Sequence, residues 1–118
     1  MSAGRQIVVA PSAGGEYESD PLDAELVIEG SPETSDRPIG GWSDGTLTGM
    51  WRCEPGRFRD LEVDESFVVL EGRATIEHQG SAHEVGPGDV CVLPAGAETV
   101  WTVHETLLKV YVLQPPSP

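Results

Sequence analysis

The sequence predicts an all-β fold, a single small domain whose strands close into a barrel. From Gly40 onward, short segments rich in Val, Ile, Thr, Phe and Trp recur between Gly and Pro residues, as in proteins built of many short strands. No segment shows the periodicity of an amphipathic helix. The chain has 118 residues, enough for one domain with a modest core. Closing the sheet removes exposed strand edges, which favours a barrel.

The two ends of the chain have a different composition from the middle. Ser12–Asp23 is polar and without periodicity, so we predict an N-terminal arm over residues 1–23. Ala24–Ile28 is a short apolar run before a Gly-Ser-Pro turn and is predicted as a strand, at the start of a barrel over residues 24–113. The prolines of residues 114–118 rule out a strand there, so we predict a C-terminal tail.

Within the barrel segment, eight further strands are predicted between turn residues. They are Thr46–Cys53, Gly56–Asp60, Ser66–Leu70, Ala74–His78, Ala82–Val85, Val90–Leu93, Glu98–Val103 and Thr106–Leu113. Between the fourth and fifth of them, Gln79-Gly80-Ser81 is typical of a tight hairpin turn.

Charge and targeting signals limit the classes of partner. The chain has 7 Lys and Arg against 20 Asp and Glu, a formal net charge of -13, which repels phosphate backbones and anionic lipids. No apolar run is long enough to span a membrane. We therefore expect neither nucleic acid nor membrane as a partner. Met1–Ala10 lacks the pattern of a secretion signal, and Cys53 and Cys91 have no paired spacing, so we expect a cytoplasmic protein with both thiols in the core.

Two motifs in the second half of the chain carry a family resemblance. Glu65–Gly72 places a Gly seven positions after a Glu and is similar to the end of the first cupin motif. Gly88–Gly96 resembles the start of the second cupin motif, a Gly, a short strand and a Pro-x-Gly corner. The two motifs occur in order, joined by a hairpin of the right size.

A third segment resembles one subfamily of cupins. Gly49–Phe58 is similar to the Gly-x-Trp-x-Cys-x-Pro-Gly segment of the ureidoglycine aminohydrolase cupin domain and the ethanolamine-utilisation cupins. Trp101 and Lys109-Val110-Tyr111 also fit this subfamily. The resemblance covers about Gly40–Leu113 and implies a jelly-roll β-barrel that is usually paired as a homodimer.

The usual metal ligands of the family are missing from the matching positions. Metal-binding cupins supply His-x-His and the Glu from the first motif, and a third His from the second. Counting back from Glu65, the positions of the first two histidines are occupied by Arg59 and Leu61. If the loop before Glu65 is one residue longer, they are occupied by Phe58 and Asp60. The third position holds Thr99, a poor substitute for imidazole. We therefore expect no cofactor of this kind and at most a weak divalent metal.

The three histidines lie elsewhere in the sequence. Two of them flank the hairpin turn and the third lies beside Glu105, so we expect His78, His83 and His104 on the surface.

Strand alternation predicts which residues line the interior. Glu65 and Phe67 lie on one face of their strand, and Thr99 and Trp101 lie on one face of another. If both faces point inward, the Glu65 carboxylate lies among aromatic rings. Apolar surroundings disfavour a charged carboxylate, which suits proton transfer, and we predict Glu65 as the catalytic acid or base. The predicted substrate-binding residues are Trp51, Arg59, Phe67, Thr99, Trp101 and Tyr111, with Lys109 as a further candidate.

A structural role remains open for the same residues. Glu65 would then pair with Arg59, and Trp51 and Trp101 would fill the core.

Three functions fit one small-molecule pocket. The first is an enzyme that acts on a small polar metabolite by acid/base chemistry without the His-based metal centre. The second is a non-catalytic ligand-binding barrel. The third is a metal-dependent, aminohydrolase-like hydrolase with substituted ligands such as Glu65 and Asp60.

Overall fold

The structure, a computed structural model, describes residues 6–115. Residues 1–5 and 116–118, the ends of the predicted arm and tail, lie outside the described residues. Short strands dominate the first half of the described chain, and two long strands organise the second half. In chain order the strands are β1 (Glu18–Ser19), β2 (Val27–Glu29), β3 (Thr34–Gly41), β4 (Leu47–Cys53), β5 (Gly56–Leu61), β6 (Glu65–His78), β7 (Ser81–Val85), β8 (Val90–Leu93) and β9 (Glu98–Leu113).

The two long strands, β6 and β9, hold the sheet together. The first half of β9 pairs with β5 and with the second half of β6, and its second half pairs with β4 and with the first half of β6. On one side the order continues from β4 to β3 and β1, and on the other from β5 to β2, while β7 and β8 both pair with β6. This curled sheet encloses a core between its two halves, as predicted for an all-β jelly-roll barrel.

A bend in β6 lets one strand serve both halves. The register with β9 shifts between Val69 and Ala74, and Gly72 lies there with a φ of +86°. A side chain at Gly72 would collide with the carbonyl oxygen of Thr106, so only glycine fits this close approach. The strands predicted separately at Ser66–Leu70 and Ala74–His78 are therefore one continuous bent strand. The two strands predicted at Glu98–Val103 and Thr106–Leu113 are likewise one continuous strand, β9.

Three further elements differ from the prediction, the first being β1, which lies within the predicted arm and pairs with β3. Ala24–Leu26 is a 3-10 turn capped by Asp23, so the strand predicted over Ala24–Ile28 begins only at Val27. Strand β3 was not predicted, because Pro38 and two glycines resemble a loop. Its pairing with β4 is irregular at Pro38, and that irregularity lets an edge strand accommodate the proline.

The predicted hairpin turn is confirmed. Gln79 and Gly80 have positive φ values of 48° and 80°, as in a two-residue type I′ turn, and β6 and β7 pair on either side.

Inward-facing side chains of both halves form one core. Its buried members are Cys53, Phe58, Phe67, Val69, Ala74, Ile76, Val85, Leu93, Trp101, Val103, Leu107 and Tyr111. Cys53 is in this core as predicted, whereas Cys91 is only half-buried. Within residues 6–115, no helix is long and apolar enough to cross a membrane.

Candidate functional site

A cavity of about 400 Å³ lies between the two halves of the sheet and collects most of the buried charge. We refer to it as the central cavity. It is lined by Asp20, Leu22, Asp36, Leu47, Trp51, Phe58, Asp60, Leu61, Glu62, Val63, Glu65, Trp101, Lys109, Tyr111 and Leu113. Its wall therefore combines aromatic rings with five carboxyl groups and one amine.

The amine belongs to a buried ion pair. Lys109 on β9 donates a hydrogen bond of 2.8 Å from Nζ to Oε2 of Glu65, at the start of β6. Each side chain is only 7% exposed. Charges removed from water to this extent need a partner, because an unpaired buried charge is strongly unfavourable.

Aromatic rings surround the same ammonium group. Lys109 Nζ lies 4.4 Å from the ring centroid of Phe67, 4.7 Å from that of Trp51 and 5.0 Å from that of Trp101. Ring faces attract a cation within about 6 Å. The aromatic side chains of the cavity therefore hold the Lys109 charge in place together with Glu65.

A second carboxyl group, Glu62, is held by the other half of the barrel. Its Oε2 accepts a hydrogen bond of 2.6 Å from Thr99 Oγ1 and one of 2.9 Å from Trp101 Nε1. The Pro-x-Gly corner fixes its backbone, because Glu62 N–H donates to Ala97 O and Gly96 N–H donates to Glu62 O. The second motif thus positions a buried carboxyl group as well as turning the chain.

Asp60 lies two residues earlier on the same inward face, next to Glu62. Burial raises the pKa of Asp60 to about 7. The negative charge of the Glu62 carboxyl group adds to this rise in the pKa of Asp60, while the positive charge of Lys109 opposes it.

Tyr111 closes the cavity on the side of β3. Its hydroxyl donates a hydrogen bond of 2.6 Å to Oδ1 of Asp36, and burial followed by this hydrogen bond raises the pKa of Tyr111. The contact depends on Gly49, which pairs with Tyr111 across β4 and β9. A side chain at Gly49 would collide with the tyrosine hydroxyl, which explains why a glycine occupies this position.

The structure brings most of the predicted site residues together. Glu65, Trp51, Trp101 and Tyr111 line the central cavity. Phe67 is buried against Lys109, and Thr99 supports the wall through Glu62. Whether these residues bind or transform a ligand stays a prediction.

Arg59 is not brought to the cavity. It is exposed, and its guanidinium donates to the backbone oxygen of Glu25. Inward-facing positions of β5 are Phe58 and Asp60, so Arg59 between them points outward. Lys109, and not Arg59, is the ion-pair partner of Glu65.

Sequence reasoning missed three carboxyl residues of the wall, Asp20, Asp36 and Glu62, and it had assigned Asp20 to the N-terminal arm. Glu62 continues the inward alternation of Phe58 and Asp60 by one step, so that pattern could have indicated it. Asp36 lies on β3, whose glycines and proline hide a strand, and no sequence signal pointed to it.

The histidines lie outside the cavity, as expected. His104 Nε2 and Thr75 Oγ1 are 2.7 Å apart on the exposed outer face, and His78 Nδ1 lies 3.0 Å from the backbone oxygen of Glu98. His83 is exposed.

A two-half β-barrel around a polar, aromatic-walled cavity defines a cupin, a fold that binds small molecules. Residues 41–111 match the model of the EutQ-like cupin domain, and the chain belongs to this family. No curated protein matches the sequence at a significant level.

Solved structures share this fold. The EutQ protein of Clostridium difficile is 22% identical with a TM-score of 0.64, over 72% of this chain and 70% of that chain. A protein of Salmonella typhimurium LT2 described as an ethanolamine utilization protein Q is 21% identical with a TM-score of 0.61. The match covers 86% of this chain and 96% of that chain. A protein of unknown function from Pseudomonas syringae pv. tomato is 20% identical with a TM-score of 0.81, over 88% of this chain but 46% of that chain.

The residues present do not fit the metal centre of histidine-bearing cupins. The positions that hold the three histidines in those cupins and that face inward here are occupied by Phe58, Asp60 and Thr99. The fourth ligand position, Glu65, forms an ion pair with the ammonium group of Lys109. In the part of the chain that the structure describes, no three His, Cys, Asp or Glu side chains converge in a way that could hold a metal ion. The absence of a metal cofactor stays a prediction, and elemental analysis of the purified protein would test it.

Proposed function

We propose that this protein binds a small polar molecule in the central cavity and acts on it by acid/base chemistry without a His-based metal centre. The observation that carries the proposal is the convergence of Lys109, Glu65, Glu62 and Asp60 on one aromatic-walled cavity. Its volume of about 400 Å³ suits a metabolite of a few heavy atoms.

The charge of the wall indicates which molecules to test first. Five carboxyl groups face one amine, so a ligand with a positive charge is favoured over an anion. Ethanolamine combines a cationic nitrogen with a hydroxyl group, and one structural relative is described as an ethanolamine utilization protein. We therefore choose it as the first probe among small amines and amino alcohols.

Isothermal titration calorimetry with ethanolamine and related amines tests the binding. We expect saturable binding to the wild type and to Glu105→Gln, whose carboxyl group lies on the outer surface beside Arg73. Asp36→Asn, which keeps the size of a cavity residue but removes its charge, should bind more weakly. Absence of binding across a panel of small polar molecules would contradict the proposal.

Catalysis requires its own test. If the bound probe is converted, proton NMR of the mixture will show product, and Glu65→Gln tests the predicted role of Glu65. Unchanged turnover in that variant would exclude Glu65 as the acid or base.

A non-catalytic binding barrel is the second candidate. In the described residues every buried side-chain nitrogen and oxygen already has a hydrogen-bond partner, which suits a rigid binding site. Binding without conversion would favour it. Stoichiometric Mn, Fe, Ni or Zn in the protein purified without added metal would instead favour the metal-dependent hydrolase with substituted ligands.

We also propose that two copies of the chain form a homodimer in the cytoplasm. Outward-facing Val90, Val68 and Val110 lie in register across β8, β6 and β9, and Val92 and Val112 flank Ser66 in the next row. This apolar surface is uncharged, in a chain of net charge -13, so a second copy can cover it without bringing like charges together.

Light scattering at working concentration should give the mass of two chains. Val92→Lys, which adds a charge at a side chain that is 75% exposed, should give the mass of one chain. A single-chain mass for the wild type would contradict the homodimer.

A further inference from the structure

Lys109 is the only lysine in the chain, and the other six of the 7 Lys and Arg residues are arginine. Arginine is the usual choice for a buried ion pair, since its planar guanidinium is always charged and forms paired hydrogen bonds with a carboxylate. The other two ion pairs of the described residues use Arg57 and Arg73. The basic residue of the central cavity thus differs from the rest, because an amine can act as a nucleophile and a guanidinium cannot.

The Lys109 nitrogen is buried and yet borders the cavity. Its side chain is only 7% exposed, but it lines the cavity wall, so a molecule bound there can reach it. Three aromatic ring centroids lie 4.4 Å, 4.7 Å and 5.0 Å from Nζ, and Glu65 Oε2 lies at 2.8 Å. These contacts fix the nitrogen in place and keep bulk water away from it. Proteins use lysine as a nucleophile towards carbonyl compounds in apolar surroundings of this kind.

Binding of an anion does not account for this amine. Its charge is already matched by the Glu65 carboxylate, and four more carboxyl groups line the same cavity. An anion brought to Lys109 would be repelled by all of them. What Lys109 offers to a ligand is therefore its nitrogen atom rather than its charge.

We propose that Lys109 captures a small aldehyde or ketone in the central cavity as a covalent imine. This inference adds a covalent step to the proposed function, and it rests on that function for the ligand-binding role of the cavity.

The step is balanced without any further reactant. A C=N bond forms between Lys109 Nζ and the carbonyl carbon, and the C=O bond breaks. The oxygen leaves as water with two hydrogens from the ammonium group. The resulting iminium carries the same single positive charge as the ammonium, so it keeps Glu65 as its counter-ion and no carboxyl group changes its protonation.

The size and charge of the cavity indicate which carbonyl compounds fit. Its volume of about 400 Å³ suits a ligand of a few heavy atoms. Its carboxyl groups disfavour a carbonyl compound that carries a carboxylate of its own. The ligand class is therefore a small aldehyde or ketone without a negative charge.

Hydride trapping of the wild-type protein tests the covalent step. Sodium cyanoborohydride reduces an iminium to a stable secondary amine, which peptide mass spectrometry locates in the chain. With glycolaldehyde as the probe, we expect an adduct at Lys109 that forms at least about tenfold faster than that of free Nα-acetyl-lysine in the same mixture, because the cavity holds the carbonyl beside the amine. A lysine that serves only as a counter-ion is shielded by its burial and should react more slowly than the free amine. A rate at Lys109 equal to or below that of the free amine would overturn the inference.

Two comparisons separate the cavity from general reactivity. Unfolding the wild type in guanidinium chloride removes the cavity, so Lys109 should then react at the rate of the free amine. This comparison needs no variant, so it holds even if Lys109→Arg does not fold. In the folded protein Glu105→Gln should react like the wild type, and Lys109→Arg, which keeps a positive charge beside Glu65, should show no side-chain adduct. Equal rates in the folded and unfolded wild type would overturn the inference.

A matched pair of probes tests the ligand class. Glycolaldehyde and glyoxylate are aldehydes of similar size, and only glyoxylate carries a negative charge. Relative to free Nα-acetyl-lysine, Lys109 should prefer glycolaldehyde over glyoxylate by about tenfold or more, because the carboxyl groups of the cavity repel the anion. Equal or reversed preference would overturn the assignment of the ligand class.

Calorimetry with amines and hydride trapping with an aldehyde can fail independently. Binding of an amine without an adduct at Lys109 would overturn the covalent step and leave the proposed function standing. An adduct at Lys109 without binding of any amine would support the covalent step and count against amines as ligands.

Discussion

An ion pair inside the barrel and one on its outer surface have nearly the same length but different surroundings. Lys109 and Glu65 are 2.8 Å apart and 7% exposed, whereas Arg73 and Glu105 are 2.9 Å apart and 57% and 62% exposed. Water screens the outer pair, so its loss changes the free energy of unfolding little. The inner pair has lost its water, so each charge depends on the other.

The largest expected effect is the loss of one inner partner. Lys109→Met leaves the Glu65 carboxylate buried near Glu62, and we expect it to lower the free energy of unfolding by about 3–5 kcal/mol. Arg73→Met on the outer surface should change it by about 0–1 kcal/mol. Urea unfolding of both variants measures the contrast. Equal losses would show that the inner pair is screened like the outer one.

Removing both inner charges should restore much of this loss. The double variant Lys109→Met with Glu65→Leu replaces a buried ion pair by apolar side chains, and such replacements are often neutral. We expect it to recover roughly 2–4 kcal/mol relative to Lys109→Met alone. A double-mutant cycle from urea unfolding gives the coupling, and additive losses in the two single variants would contradict the dependence of one charge on the other.

A buried hydroxyl group inside the barrel should likewise contribute more to the free energy of unfolding than an exposed one on its outer face. Thr99 donates to buried Glu62, and Thr75 donates a hydrogen bond of 2.8 Å to exposed Glu84. Thr99→Val removes a buried hydrogen bond to a charged group and should cost about 1.5–3 kcal/mol. Thr75→Val should stay within about 0.5 kcal/mol of the wild type. Thermal unfolding of the pair checks this, and a neutral Thr99→Val would mean that Trp101 alone holds Glu62.

The smallest effect depends on pH and concerns Asp60. Its pKa of about 7 in the folded protein lies above the value of about 3.9 in the unfolded chain, so between these values the folded state binds more protons. The stabilisation from Asp60 is therefore complete below about pH 4 and is lost as the pH rises through about 7.

Asp60→Asn should remove this dependence. The wild type should lose stability between pH 5 and pH 8, whereas the variant should not. Because Asp60 is only partly buried, we expect the free energy of unfolding of the variant to rise relative to that of the wild type by on the order of 1 kcal/mol over this range. Melting temperatures at the two pH values measure it, with Glu105→Gln as the control. An equal difference between Asp60→Asn and the wild type at both pH values would contradict the raised pKa.

Pattern within a single strand was enough to predict part of the cavity. Alternation on β6 and β9 indicated that Glu65, Phe67 and Trp101 face inward, and the structure places them there. The same reasoning placed Arg59 near Glu65, because counting residues does not show which positions of β5 face inward. The strand itself shows that Phe58 and Asp60 do.

The sequence by itself determined the barrel and its family. Gly and Pro corners, β-branched strands and the spacing of two motifs depend on neighbours along the chain, so they can be read without the fold. The partners of the buried charges were decided only by the tertiary structure. Lys109 meets Glu65, and Thr99 meets Glu62, across 44 and 37 residues, because the pairing of β9 with β5 and β6 brings them together.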